Sequence, residues 1–62
     1  MKYTIKELRA RKAETQSDVA HAVGVSVATY VNWEKSLYNI PIGKVAALAE
    51  HFGVTLDDIF IA

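Results

Sequence analysis

The run Gln16–Lys35, QSDVAHAVGVSVATYVNWEK, leaves this chain few ways to fold. Val19, Ala20 and Val23 form an apolar stripe at helical spacing, and Gly24 interrupts it. Val25 puts an apolar side chain inside the interruption, and Ser26 is a good N-cap for a new helix. A glycine there can take the positive φ that a tight connection between helices needs. The small Ala20 lets the second helix cross the first closely. In that second helix Tyr30 and Trp33 share one side. At about 100° per residue, Val27, Ala28, Val31, Asn32 and Lys35 fall on the other. The rest of the chain must pack around two short helices of this kind, joined by a tight turn.

With 62 residues the chain makes one domain, 1–62, near the lower size limit for folding without staples. It has no cysteine, which excludes a disulfide or a thiolate metal site. An apolar share of 52% suffices for a helical core but not for a buried catalytic cleft as well. No apolar run approaches the roughly 20 residues of a membrane span. The start, MKYTIKELRARK, lacks the apolar segment of a signal peptide, so the expected location is cytoplasmic. The formal net charge is zero, but it is unevenly spread. All seven Lys and Arg lie in residues 1–44 with four acids, whereas residues 45–62 hold three acids and no base. One mildly basic face is therefore available to a polyanion.

Thr4 and Glu7 have capping-box spacing and predict a first helix from Ile5 to about Ala13, with Ile5 and Leu8 inward. Thr15 caps a second, Gln16–Val23, and the third spans Val27–Lys35. Ser36 to Ile40 reads as a loop ahead of Pro41, which is expected in the first turn of helix four. That helix should bury Val45, Leu48, Ala49 and Phe52 and stop at Gly53. Thr55 and Asp58 should open a short final helix carrying Leu56, Ile59 and Phe60. Strand-like alternation, repeats and linkers are all absent from the pattern. The expected class is all-α, with five short helices.

These pieces resemble the helix-turn-helix domains of the Cro and phage-repressor type, also called the XRE family. The resemblance covers about Ile5 to Phe60 and is carried by KELRARKAETQSDVAHAVGVS, the NWEK that closes helix three, and PIGKVAALAEHFGVTLDDIF. It implies a compact five-helix repressor-like DNA-binding domain with the helix-turn-helix at about 16–35. The implied function is sequence-specific binding of double-stranded DNA. Such a domain typically acts as a transcriptional repressor of phage, plasmid or bacterial type, as a homodimer on a palindromic operator. The location implied is a bacterial or phage-host cytoplasm. By position, Gln16 would meet the DNA backbone with a base edge in reach, and Thr15 opens the same helix. Val27, Ala28 and Asn32 would lie along the major groove, with Ser26 and Lys35 at phosphates. An arginine of helix one often pairs in the family with the glutamate closing helix three; here those are Arg9 and Glu34.

The residues themselves refine this. Val27, Ala28 and Val31 carry no side-chain hydrogen-bonding group but can pack on a thymine methyl, and Asn32 can pair with adenine. An A·T-leaning site follows. The same apolar strip could instead dock on a protein, the alternative being an antitoxin-like interaction module on this fold. Tyr30 and Trp33 are core by helical phase rather than base-stacking residues. Glu34 lies near the core direction and needs a partner, for which Arg9 on the neighbouring helix is placed; Arg9 at a phosphate is the competing reading. Lys35, Lys44 and one base of helix one can reach phosphate. Tyr38 and Asn39 can donate to phosphate or be plain loop. Ile61 and part of Phe60 could pair with a second copy. His21 and His51 read as surface histidines. No cofactor, metal, membrane or small-molecule substrate is indicated, and the enzyme hypothesis lacks catalytic parts.

Overall fold

The computed structural model describes residues 2–35 and 40–59. A hydroxyl residue sets the start of most of its helices. Thr4 Oγ1 accepts from the Glu7 N–H at 3.1 Å and Glu7 accepts from the Thr4 N–H at 2.9 Å, which opens α1, Ile5–Arg11. Thr15 and Asp18 repeat the box and open α2, Gln16–Val23. Ser26 Oγ accepts from the Thr29 N–H at 3.1 Å at the head of α3, Val27–Lys35. The fourth helix, α4 (Ile42–Phe52), begins without a side-chain cap. Pro41 stands outside its first turn at ψ 144°, correcting the expected placement, and its carbonyl accepts from the Val45 N–H at 3.0 Å.

Helix ends share a second device. Gly24 and Gly53 both adopt left-handed backbone, at φ 76° and 71°. Each lets the following valine donate back, Val25 to the Ala20 carbonyl at 3.0 Å and Val54 to that of Ala49 at 2.9 Å. Val19–Ser26 and Leu48–Thr55 thus form a local repeat of helix end plus next cap, where the sequence pattern suggested none. The same closure ends α1 with Ala13 in the glycine position, at φ 55°, the Glu14 N–H donating to the Arg9 carbonyl at 3.3 Å. For that reason α1 stops at Arg11 instead of running to Ala13. A β-carbon in left-handed backbone is strained by about 1 kcal/mol.

The core draws on every helix: Ile5 and Leu8, Val19, Ala20 and Val23, Tyr30 and Trp33, Val45, Leu48 and Ala49, with Ile59 closing it. Tyr30 is fully buried and meets Trp33 edge to face, centroids 6.4 Å apart. Phe52, expected inside, is half-buried and packs on the margin. The class is all-helical, but the expected five helices are four α-helices and one 3₁₀ turn, Leu56–Asp58, among the described residues. The Thr55–Asp58 box closes that turn, and Ile59 leaves it extended, at φ −91° and ψ 122°. Only so can Ile59 bury its side chain and form an isolated parallel bridge with Tyr3, whose N–H donates to the Asp58 carbonyl at 2.6 Å. Phe60 lies outside the described residues.

One polar clamp ties the helices together. Arg9 Nε donates to Glu34 Oε2 at 2.6 Å and Arg9 Nη2 to Glu34 Oε1 at 3.2 Å. A third donor of the same side chain, Nη1, reaches the Glu14 carbonyl at 3.1 Å and steadies the turn after the strained Ala13. The Glu34 side chain is 5% exposed. Burial works to raise its pKa, but the Arg9 bonds, helped by Gln16, hold the carboxyl below the usual range. The Tyr30 hydroxyl is buried beside the pair with no hydrogen-bond partner among the described residues. Desolvation, then the Glu34 charge, push its pKa well above the ordinary tyrosine value.

Two outcomes are expected. Ala13→Gly relieves the left-handed strain and stabilises the domain by about 0.5–1 kcal/mol in urea melts. Glu34→Ala leaves the Arg9 guanidinium unpaired at a partly buried site and destabilises by about 2–3 kcal/mol, lowering the melting midpoint by about 10–20 °C. Because the Glu34 pKa is depressed in the folded state, the pair's contribution is complete above the ordinary glutamate pKa and is lost on acidification through the folded value. Melting midpoints measured from pH 7 downward should therefore fall below about pH 4.5, and fall less steeply in Glu34→Gln.

Candidate nucleic-acid interface

The outward flank of α3 carries Val27, Ala28, Thr29, Asn32 and Lys35, all exposed, with Val31 half-buried at its edge. Asn32 is exposed and makes no hydrogen bond among the described residues. Val27 stands 44% exposed, as do Leu56 at 45% and Ile42 at 74% away from this flank. Trp33 and Tyr30 point the other way into the core, as their spacing indicates. At the head of α3 the Val27 and Ala28 N–H groups belong to the first turn and have no partner inside the helix, while Ser26 Oγ is engaged with Thr29. Thr29 is the exposed position of this flank that the sequence pattern passed over. Its place three residues after the Ser26 cap was the available signal.

An open groove runs between α1, the head of α2 and the middle of α3. Lys6 and Lys35 edge it, Thr15, Gln16 and Val31 line it, and the Arg9–Glu34 pair is among its walls. Lys6 is the base of helix one that faces this side, three residues ahead of Arg9 and therefore on the same helical face. Arg9 itself is committed to Glu34 and the Glu14 carbonyl. Gln16 is half-buried, and its Nε2 donates to Glu34 Oε1 at 3.0 Å, a contact that sequence spacing did not indicate. Thr15 caps α2 and is exposed. Asp18 accepts from the Thr15 N–H, which keeps its carboxyl pKa below the usual range and leaves a negative charge at the helix head.

Lys44 sits apart from this groove. Its Nζ donates to the Val23 carbonyl at 3.0 Å, capping the end of α2 beside the Gly24 turn. An ammonium has three donors, so two remain for solvent or phosphate. Tyr38 and Asn39 lie outside the described residues, as does Ile61. Arg11 and Lys12 are turned elsewhere: Arg11 stacks over the Tyr3 ring at 4.4 Å and Lys12 donates to the His51 carbonyl at 3.0 Å. His51 is not a plain surface histidine, because its Nε2 lies 2.8 Å from Glu14 Oε1. His21 is exposed. Among the described residues no group of three His, Asp or Glu could hold a metal ion, and no helix is long and apolar enough to cross a membrane.

The arrangement offers a convex helix with short apolar side chains, one free amide and a few flanking donors and cations. The profile of the Helix-turn-helix family matches residues 5–59. An uncharacterized HTH-type transcriptional regulator of Methanocaldococcus jannaschii is 39% identical over 61 residues, covering 98% of this chain and 92% of that protein. Two regulators of the same description from Archaeoglobus fulgidus are 39% and 36% identical over 61 residues, covering 98% of this chain and 86% and 87% of their own lengths. No solved structure matches at comparable significance. With its fold, its exposed third helix and a family match over nearly its whole length, the chain belongs to the helix-turn-helix family of the Cro and phage-repressor (XRE) type.

Proposed function

We propose that this domain binds double-stranded DNA in a sequence-specific manner and regulates transcription, with α3 in the major groove. The observation that carries the reading is the division of α3 into a buried aromatic flank and an exposed flank bearing the free Asn32 amide. Asn32 pairs with an adenine edge, and Val27, Ala28 and Val31 pack on thymine methyls. The N–H groups at the heads of α2 and α3, with Thr15 and Ser26, meet phosphates, joined by Lys35, Lys6 and Lys44, while Gln16 at the head of α2 has both the backbone and a base edge within reach. Tyr38 and Asn39, by their side-chain chemistry, are further candidate phosphate donors. The relatives' description as transcriptional regulators supports the same role. A helix of nine residues reads only a few base pairs, so useful selectivity asks for two copies on a palindromic operator with half-sites about 34–36 Å apart. Repression, by occupying such an operator, is the mode we favour, and a phage, plasmid or host-encoded regulator is the setting.

The exposed Val27 and the scarcity of free cations favour one competing reading, an interaction module whose α3 docks on another protein. The two readings separate in one experiment. Random duplex DNA is offered at low and moderate salt, and the retained sequences are read. DNA binding enriches A·T-containing inverted half-sites; an interaction module retains nothing above background. In the same selection Asn32→Ala should lose preference at one base position, a discrimination of about 1–3 kcal/mol. With three phosphate-facing lysines, log affinity should fall against log salt with a slope of about −3 per bound chain, measured by fluorescence anisotropy. A slope near zero would argue against the phosphate contacts assigned here.

A further inference from the structure

The bond between Gln16 and Glu34 joins the clamp inside the fold to the surface that faces DNA. Glu34 Oε1 accepts from both Arg9 Nη2, at 3.2 Å, and Gln16 Nε2, at 3.0 Å, while Oε2 takes Arg9 Nε at 2.6 Å. A carboxylate can only accept hydrogen bonds, so it selects the nitrogen end of the Gln16 amide. An amide that has given one hydrogen to Glu34 retains an oxygen acceptor and one further N–H. Those two groups together are what an adenine edge pairs with. Gln16 is half-buried at the head of α2, on the groove between Thr15 and Val31, so its rotation is restricted from the fold side and open on the other.

We infer that Glu34, held by Arg9, is a positioning residue for recognition, fixing which edge of the Gln16 amide faces the nucleic acid so that Gln16 reads an adenine rather than serving as a generic phosphate donor. The inference rests on the DNA-binding reading above. Glu34 touches no base. Its effect on binding passes through Gln16, separately from its effect on stability.

A double-mutant cycle tests this. Wild type, Gln16→Ala, Glu34→Gln and the double variant are assayed on the selected operator at one salt concentration, below the lowest melting onset. The expected result is about tenfold weaker binding for each single variant and no further loss in the double variant. The adenine preference at one position should disappear equally in all three. Equal, additive losses with an unchanged base preference would overturn the positioning role and leave Glu34 a purely structural residue. If wild type binds no duplex, the DNA-binding reading falls first, which distinguishes the two failures. Should Glu34→Gln fail to fold, the side-chain NH₂ resonances of Gln16 in the intact chain carry the test. Slowed exchange of one hydrogen, abolished as Glu34 is protonated by acid, supports the inference. Two equivalent, fast-exchanging hydrogens overturn it.

Discussion

A glutamate with a nearly buried side chain stands in the last turn of α3, and the architecture depends on the arginine that keeps it charged. Removing a carboxylate from water is unfavourable by several kcal/mol unless its lone pairs are met. Arg9 meets them with two nitrogens and uses a third on the Glu14 carbonyl, so one side chain joins α1, the turn that follows it and the end of α3. Tyr30, one turn earlier on α3, fills the space beneath the pair and Trp33 packs against its edge. The angle at which α3 presents its outer flank is therefore set from inside. Without that clamp the apolar contacts alone would hold a small helix whose roll about its own axis is poorly determined.

The clamp also explains the weak electrostatics of the outer surface. A guanidinium that is committed internally is withdrawn from phosphate, and Lys44 is partly withdrawn at the end of α2. What remains is a modest basic rim around a nearly uncharged helix. On the DNA-binding reading proposed above, affinity from such a surface would rest on shape and backbone N–H groups more than on long-range attraction.

Much of this was legible in the residues. Thr4 with Glu7, Thr15 with Asp18, and Gly24 and Gly53 are short-range signals, and each sits at the boundary it marks. The phase of Tyr30 and Trp33 told core from surface. Less legible were features decided by tertiary contact. Ala13 takes a glycine's backbone because Arg9 and the following cap over-determine the turn, which no local preference of alanine suggests. Ile59 abandons the helix for an extended pairing with Tyr3, some 55 residues away in sequence, to close the core. The link from Gln16 to Glu34 crosses two helices and was invisible to spacing along either one. At the candidate site, exposure and polarity could be read; the company each side chain keeps could not.

The repeated helix end has a kinetic consequence. At both Gly24 and Gly53 the stop is made by bonds that span six residues or fewer, and each is followed at once by the next cap. The bonds that make such a boundary can close within the time of a short loop, whereas helices this short persist only once their apolar faces pack. The slow event is then the meeting of the two flanks of the chain, where Tyr3 finds Ile59, and it is an entropic search rather than a rearrangement. A chain whose helix ends are set locally leaves its long-range contacts as the part found by search.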